Sequence, residues 1–328
     1  MQQDWETMAD NVRIFSGNSH PELAQEIAAT MGCRLTPTKT TTFSNDCLFV
    51  QLGESVRGKD VVIVQSFTPD VSHHVIELFM MLDAARSASA KSIHAVIPYF
   101  AYARSDKKDA PRISITARLM ADLLATAGAS HILTMTLHSP QVHGFFELPT
   151  DHLTAHKAFI AHFRNRDLSN AVVVAPDIGH AKRSAKLARA LGVGVAAGDK
   201  QRLSDDRVYI SDIIGEIRGK DAIVFDDEIA TGGSIVELVN KLREKQVRRI
   251  TLACTHGVFS GPAIERLTAM NDIEEIVTTN TVPIPSEKRL DHMTVLSVGS
   301  IFGEAIQCNL LGQSVGQLFA FWSDGAGD

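Results

Sequence analysis

The sequence predicts an α/β protein with two tandem domains, each a mostly parallel sheet flanked by helices. Short β-branched runs alternate with amphipathic helical patterns along the chain, which is typical of βαβ units. The 328 residues exceed the usual size of one domain, and 45% of them are apolar, enough for two cores. The layout of residues 61–78, an apolar strand followed by a turn and a helix, also recurs at 222–238.

The predicted elements follow one another in regular order. Helix 21–31 opens on Pro21, whose missing N–H costs little in a first helical turn. The first half continues with strand 61–67, helix 74–87, strand 93–99, helix 115–127 and strand 132–137. The second half contains strand 171–176, helix 181–191, strand 222–226, helix 234–245, strands 250–255 and 275–280, and helix 299–310. Three of these helices are followed by a glycine, as at a C-cap: Gly32, Gly128 and Gly192.

The repeated layout has two explanations. Residues 61–78 and 222–238 could be copies of one duplicated unit, since a second strand follows a basic stretch in both. Chance similarity between two βαβ units would look the same. In either case only the second copy carries paired aspartates and paired glycines, so chemistry that needs them belongs to the second half.

Composition excludes several classes of protein. The net charge of −6 and the lack of a dense Lys/Arg block argue against nucleic acid as a partner. The four cysteines are scattered without a C-x-x-C pair, which favours neither a disulfide framework nor a zinc site. No apolar run approaches 18 residues, and the polar N-terminus does not resemble a signal peptide. We therefore expect a cytoplasmic protein that binds no membrane.

The most informative motif lies at residues 226–234. Asp226 and Asp227 end a predicted strand, and a Thr-Gly-Gly-Ser turn at 231–234 then opens a helix. Glycines let the backbone approach a phosphate closely, and N–H groups at a helix start bind its negative charge. Carboxylates can accept hydrogen bonds from sugar hydroxyls or hold a cation. The motif predicts a sugar-phosphate site; the alternative is an ordinary acidic turn in solvent.

Three further polar segments follow predicted strands. Arg104 lies in a cationic loop beside aromatic residues, which suits a polyphosphate with a base nearby. His138 and Asp177 each follow a strand, at the sheet edge where open α/β sheets bind ligands. The cations Lys182 and Arg183 oppose the dipole of the following helix, which favours a functional role. A solvated loop and a structural histidine remain the alternatives for Arg104 and His138.

Residues 198–208 are polar and join two β-like segments, so they could form a mobile flap. Lys200 and Arg202 alternate and would point the same way in an extended chain. Two cations on such a loop could close over a phosphoryl group and stabilise charge in its transition state. The alternative is a solvated hairpin tip.

Taken together, these segments resemble the ribose-phosphate diphosphokinases (phosphoribosyl-diphosphate synthetases) nearly from end to end. The matching residues in this chain are Arg57 to Asp60, Gln65-Ser66, Met81 to Ala84, Ile97-Pro98-Tyr99, Tyr102-Ala103-Arg104, Leu137-His138, Gln141, Gly144-Phe145-Phe146, Pro176-Asp177, Asp199-Lys200, Arg202, Asp226-Asp227, Thr231 to Ser234 and Thr255-His256-Gly257.

The resemblance implies two phosphoribosyltransferase-type (type I) domains, with residues 1–153 in the first and 154–311 in the second. It also implies that 312–322 pack back on the first domain. The implied activity is the Mg²⁺-dependent transfer of the β,γ-diphosphate of ATP to the 1-hydroxyl of ribose 5-phosphate, which releases AMP. A shared adenine site implies self-association, at least as a dimer and expected as a homo-hexamer.

The resemblance also assigns roles to residues of this chain. Lys200 and Arg202 are the expected catalytic cations, and His138 and Asp177 are the expected metal ligands. The expected ATP-binding residues are Phe43, Asn45, Arg104, Ser105, Asp106 and His138. The expected ribose 5-phosphate-binding residues are Asp226, Asp227, Ala230, Thr231, Gly232, Gly233 and Ser234.

The chain departs from the usual family pattern at several of these positions. In the adenine loop Phe43 keeps the stacking ring, whereas Asn45 adds a donor and Cys47 removes a carboxylate. His180 stands where glycine is common, and Ala230 replaces an aspartate in the phosphate turn.

Two other functions remain as alternatives. A salvage phosphoribosyltransferase would share the motif at 226–234, but it would need neither a second α/β domain nor the loop at Arg104. A non-catalytic regulatory relative would be expected to lack an intact flap or phosphate turn, and both are present here.

Overall fold

The computed structural model describes residues 5, 8–202, 208–316 and 318. The chain divides into two compact units. Unit 1 consists of Met1–Thr154, Thr281–Pro283 and Ser297–Asp328, and unit 2 of Ala155–Asn280 and Ile284–Leu296. Each unit has its own mostly parallel sheet flanked by helices, so the predicted fold class is confirmed.

Unit 1 is built on a six-stranded parallel sheet with the strand order β2-β1-β5-β6-β7-β8, and β3 and β4 form a separate antiparallel hairpin. Its strands are β1 (Val12–Ser16), β2 (Leu35–Thr36), β3 (Thr38–Thr42), β4 (Leu48–Leu52), β5 (Asp60–Val64), β6 (Ser92–Ile97), β7 (His131–Met135) and β8 (Thr150–Leu153). Its helices include α1 (Pro21–Thr30), α2 (Val71–Ser87) and α3 (Thr116–Ala127).

The central strands of this sheet are mainly apolar because both of their faces are covered. All five residues of β5 are buried, and so are five of the six in β6. Leu78 and Leu82 of α2 and Leu124 of α3 pack into the same core as these strands. A continuous apolar run is what a buried parallel strand requires.

Unit 2 has a seven-stranded sheet with the order β11-β10-β9-β12-β13-β14-β15, in which β11 alone runs antiparallel to its neighbour. Its strands are β9 (Ala171–Ala175), β10 (Gly194–Arg202), β11 (Val208–Ile214), β12 (Asp221–Ile229), β13 (Arg249–Gly257), β14 (Ile273–Thr279) and β15 (Met293–Leu296). Its helices are α4 (His156–Phe163), α5 (Ile178–Leu191), α6 (Gly233–Glu244) and α7 (Ala263–Thr268).

The helix α8 (Gly299–Leu310) corrects the predicted domain boundary. We expected residues 154–311 to form the second domain, yet α8 belongs to unit 1. The physical reason is close packing on α1. A Cβ atom added to Gly299 would lie 2.7 Å from Cβ of Glu26, and one added to Gly303 would lie 2.7 Å from Cγ2 of Thr30. The two glycines lie four residues apart, so they share the helix face that meets α1.

The division between the units after Thr154 falls beside the predicted boundary at 153. We expected residues 312–322 to pack on the first domain. Of these, residue 317 and residues 319–322 lie outside the described residues. Residues 312–316 are part of unit 1. No helix in the described part of the chain is long and apolar enough to cross a membrane.

Candidate active site

The carboxyl edge of the sheet in unit 2 brings together residues that lie far apart in the sequence. Asp177 follows β9, and Asp226 and Asp227 lie near the end of β12. The strands β9 and β12 are parallel neighbours, with Val174 paired to Val224. Their carboxyl ends therefore meet at one edge, as the sequence led us to expect for a ligand site.

His180 lies between the three carboxylates. Asp177 is the N-cap of α5, and its Oδ1 accepts a hydrogen bond from the backbone N–H of His180 at 3.0 Å. The ring of His180 then spans the site: Nδ1 is 2.9 Å from Oδ1 of Asp177, and Nε2 is 3.0 Å from Oδ2 of Asp227. Nε2 also lies 3.8 Å from Oδ1 of Asp226. Both ring nitrogens thus face carboxylate oxygens, which favours the doubly protonated imidazolium.

The titration of His180 and Asp177 follows from this geometry. Burial opposes a charge on His180, but hydrogen bonds to Asp177 and Asp227 outweigh it and raise the pKa of His180 to about 10. Burial likewise opposes the charge on Asp177, yet the hydrogen bond from His180 lowers the pKa of Asp177 to about 2. Near neutral pH this pair is an ion pair.

The adjacent aspartates have different environments. Asp227 is buried, which opposes its charge, but hydrogen bonds and charge from His180 and Arg183 lower its pKa. Both of these cations donate to the same oxygen, Oδ2. Burial raises the pKa of Asp226, whose Oδ1 accepts the backbone N–H of Asp227 at 2.7 Å. The site therefore offers one firmly charged carboxylate beside one that is easier to protonate.

Lys200 approaches this cluster from the neighbouring strand. The strand β10 pairs with β9 as far as Ala197, and its register with β11 shifts between Asp199 and Lys200. A bulge of this kind changes the direction of the following side chain. The ammonium of Lys200 lies 3.8 Å from Oδ2 of Asp177. Arg202 ends β10, but its side chain lies outside the described residues, as does the rest of the predicted flap at 203–207.

The predicted phosphate turn joins β12 to α6. Gly232 is the N-cap of α6 and has a φ angle of 75°, a left-handed conformation that glycine adopts without strain. The carbonyl of Thr231 accepts a hydrogen bond from Arg266 at 2.8 Å, and the carbonyl of Ala230 accepts one from the N–H of Ser260 at 3.0 Å. These bonds hold the turn in place. The first N–H groups of α6, which begins at Gly233 and Ser234, then form the start of a helix suited to an anion.

In unit 1 the predicted ATP loop begins with a short 3-10 helix at Ala101–Arg104. Arg104 is exposed and ends this helix, and Asp106 is half-buried. Ser105 has a structural role, because its Oγ accepts the N–H of Thr116 at the start of α3 at 3.1 Å. The loop is thereby anchored while its cation remains at the surface.

The predicted adenine loop is the turn of the β3–β4 hairpin. Phe43 is 52% exposed, an unusual state for a large apolar ring, and its centroid lies 6.2 Å from that of the exposed Phe49. Oδ1 of Asn45 accepts the N–H of Cys47 at 3.3 Å, which fixes the turn. Phe49 is a residue that our sequence analysis missed. Its pairing opposite Thr41 on the hairpin is visible only in the structure.

His138 follows β7 in unit 1 and is half-buried. The chain turns sharply before it, since Thr136 has a φ angle of 46° and the N–H of Leu137 donates to Nε2 of His152 at 2.8 Å. The two expected metal ligands, His138 and Asp177, belong to different units, and their role as ligands stays a prediction.

The donor set of unit 2 fits a magnesium ion, since Mg²⁺ prefers carboxylate oxygens and water. His180 bonds Oδ1 of Asp177, so a magnesium ion held by Asp177 would use Oδ2, the oxygen near Lys200.

Two residues at the centre of this cluster had no assigned role in our sequence analysis. Arg183 was noted as a cation in a first helical turn that favours a functional role, but the role was not named. His180 was noted only as a departure from the usual family residue. Both lie within six residues of the N-cap Asp177, on one side of α5, and that spacing was the available signal.

Comparison with protein families gives two matches. Residues 12–128 match the model of the N-terminal domain of ribose phosphate pyrophosphokinase. Residues 209–320 match the model of the phosphoribosyl synthetase-associated domain. The two matches fall on either side of β9 and α5.

Whole-chain relatives cover nearly the full length. A ribose-phosphate pyrophosphokinase of Deinococcus radiodurans is 49% identical over 93% of this chain and 97% of its own. One from Bacillus subtilis is 43% identical over 94% of this chain and 98% of its own. The crystal structure of phosphoribosylpyrophosphate synthetase from Mycobacterium smegmatis aligns with a TM-score of 0.86 at 38% identity, covering 92% of this chain and 99% of that one.

Proposed function

This chain belongs to the ribose-phosphate pyrophosphokinase family, and we propose that it transfers the β,γ-diphosphate of ATP to the 1-hydroxyl of ribose 5-phosphate. The products are 5-phosphoribosyl 1-diphosphate, for nucleotide biosynthesis, and AMP. The observation that carries the proposal is the cluster of Asp177, His180 and Asp227 in unit 2, in a chain that matches these enzymes over nearly its whole length.

The end of β12 is suited to bind the acceptor, ribose 5-phosphate. Asp226 and Asp227 accept the hydroxyls of the ribose, and the turn from Ala230 to Ser234 holds its 5-phosphate with the N–H groups of α6. Asp227 is the more firmly ionised carboxylate of the pair, because its pKa is lowered, whereas that of Asp226 is raised.

The transfer step requires positioning and charge neutralisation rather than a covalent nucleophile. The 1-hydroxyl of the ribose attacks the β-phosphorus and releases its proton to solvent. The bond from that phosphorus to the oxygen of the α-phosphate breaks, and AMP leaves with the electron pair. Lys200 and Arg202 stabilise the charge on the transferring diphosphate, and Lys200 already lies beside the carboxylate of Asp177.

The donor half belongs to unit 1 in this proposal. Phe43 stacks on the adenine, Asn45 bonds its edge, and the loop of Arg104 to Asp106, together with His138, contacts the phosphates. Asp177 and His138 would hold the Mg²⁺ ion, which would supply neutralisation of the negative charge of the triphosphate. We further propose that the protein is cytoplasmic and self-associates, as a homo-hexamer or at least a dimer.

The two alternative functions differ from this one in the products they predict. A salvage phosphoribosyltransferase would consume phosphoribosyl diphosphate and a base without any need for ATP. A regulatory relative would bind ligands without turnover. The whole-chain similarity to pyrophosphokinases of 43–49% identity favours the synthetase over both.

The test is a coupled measurement of both products. Protein, ATP, MgCl₂ and ribose 5-phosphate are mixed, and AMP and phosphoribosyl diphosphate are quantified together over a range of phosphate concentrations. We expect equal amounts of the two products. If neither forms at any phosphate concentration, the proposal is wrong.

A double variant tests whether the two cations of the flap act in the transfer step. The double substitution Lys200→Ala with Arg202→Ala should abolish turnover while ribose 5-phosphate binding, measured by calorimetry, largely survives. Lys245→Ala is the matched control. It removes a lysine that pairs with Asp212 at 2.5 Å, beyond the far end of α6, and should leave the rate unchanged. Loss of binding in the flap variant would contradict the assigned role.

A further inference from the structure

His180 connects two elements that carry the acceptor site. Its backbone is fixed in the first turn of α5, because its own N–H donates to the N-cap Asp177. From that position the ring reaches across to β12 and bonds the carboxylate of Asp227 through Nε2 at 3.0 Å. The side chain is only 15% exposed, so solvent does not compete strongly for either bond.

The second donor to Asp227 comes from the same helix. Arg183 lies one turn after His180 in α5 and also donates to Oδ2. A carboxylate that receives two donors at one oxygen, from directions set by one rigid helix, has little freedom to rotate. The orientation of Asp227 is therefore determined by α5 as well as by its own strand.

The charges of this cluster are close to balanced. The carboxylates of Asp177, Asp226 and Asp227 face the cations of His180, Arg183 and Lys200. A neutral side chain at position 180 would leave surplus negative charge where the anionic sugar phosphate must bind. Two effects of His180 thus have to be separated: its charge and its bond to Asp227.

We propose that His180 is a positioning residue of the acceptor site, which orients the Asp227 carboxylate for the ribose hydroxyls by donating Nε2–H to its Oδ2. The inference rests on the proposed function and extends it by naming a residue that determines affinity for ribose 5-phosphate. The bond between Nδ1 and Asp177 serves to hold the ring at the angle from which Nε2 reaches Asp227.

Two substitutions of His180 distinguish the effect of its hydrogen bond to Asp227 from the effect of its positive charge. The amide nitrogen of Gln lies near the position of Nε2, so His180→Gln keeps a donor for Asp227. The amide nitrogen of Asn lies near the position of Nδ1, so His180→Asn keeps a donor for Asp177 and loses the one for Asp227. Both remove the charge, and both retain the backbone bond that caps α5.

The readout is the dissociation constant of ribose 5-phosphate, measured by calorimetry on metal-free protein, together with steady-state kinetics. His180→Asn should weaken ribose 5-phosphate binding about tenfold, the usual effect of losing a hydrogen bond to a charged group. It should raise the KM for this substrate and leave the KM for ATP unchanged. His180→Gln should restore binding to within about threefold of the original protein.

The matched control is His162→Asn. His162 is another histidine of unit 2 whose Nε2 bonds a carboxylate, that of Glu275, at 3.2 Å. It should leave the affinity for ribose 5-phosphate unchanged. If His180→Asn shows no thermal unfolding transition, it does not fold. His180→Ser, which has no donor at either ring position, is then compared with His180→Gln instead.

Two results would overturn the inference. Equal losses in the Gln and Asn variants would mean that charge alone matters, and full affinity in both would mean that His180 does not position the acceptor. These outcomes are distinct from failure of the proposed function. That function fails only if the unsubstituted protein produces no AMP, whereas the inference is judged on differences between variants that bind the sugar phosphate.

Discussion

Arg183→Met tests whether the cation on α5 is needed to keep Asp227 charged inside unit 2. The side chain of Asp227 is only 3% exposed, and that of Arg183 is 23% exposed. Methionine keeps the length and apolar character of the arginine stem, so the packing of α5 is largely preserved. The main change is the loss of the donor from Arg183 to Oδ2 of Asp227, while the one from His180 is kept.

The size of the effect follows from the burial of Asp227. Removing one partner of a buried ion pair costs about 3–5 kcal/mol because a buried charge is left uncompensated. His180 still donates to the same oxygen, and Arg183 is partly solvated, so we expect a loss of about 2–3 kcal/mol in the stability of unit 2. At about 1.4 kcal/mol per factor of ten, this corresponds to a fall of roughly 30- to 150-fold in a protection factor.

Hydrogen exchange of β12 is the suitable assay, because it reports the opening of unit 2 even if the two units unfold separately. Lys182→Met is the control: it removes the adjacent, exposed cation of the same helix and should change protection little. The double variant with Asp227→Asn should cost about 1–2 kcal/mol less than the sum of the single variants. Additive losses, or a change in Arg183→Met below about threefold, would refute the reasoning.

Two further predictions concern unit 1. Burial lowers the pKa of His94 to about 4, below the value near 6.5 of an unfolded chain, so the unfolded state takes up the proton first as the pH falls. The contribution of His94 to the free energy of unfolding of unit 1 should therefore fall by about 3 kcal/mol between pH 6.5 and pH 4. His94→Phe should reduce the pH dependence of that free energy by one proton, and an unchanged pH dependence in denaturant titrations would contradict this. Gly303→Val would press side-chain atoms against Thr30 at the α1–α8 contact and should lower the thermal midpoint. Gly144→Val is the control for packing, because no atom lies within 4 Å of its added Cβ and its φ angle is not in the left-handed region. Equal shifts in the two glycine variants would argue against close packing of α8 on α1.

The parts of the fold that the sequence predicted are those determined by local pattern. The strand at 61–67 corresponds to β5 and its following residues, and the strand at 222–226 to the first part of β12. A buried parallel strand needs a continuous apolar run, and that run is visible in one segment. The motif at 226–234 was predictable for the same reason, since a strand end, a glycine turn and a helix start are contiguous.

The position of α8 was not predictable in this way. An amphipathic pattern shows that a helix packs against a core, but it does not show which core. In the structure Gly299 and Gly303 lie at a close helix contact, and the partner helix, α1, lies more than 260 residues earlier in the chain. Only the tertiary structure associates the two helices.

The charge states of Asp226 and Asp227 show the same limit within the site. In sequence they are identical neighbours, and nothing local distinguishes them. In the structure Asp227, though the less exposed of the two, has its pKa lowered, because α5 directs His180 and Arg183 at one of its oxygens. Asp226 has its pKa raised by burial, since Nε2 of His180 is 3.8 Å away from it rather than 3.0 Å. The difference between the two carboxylates therefore arises from the pairing of β9 with β12, which brings the first turn of α5 to the end of the neighbouring strand.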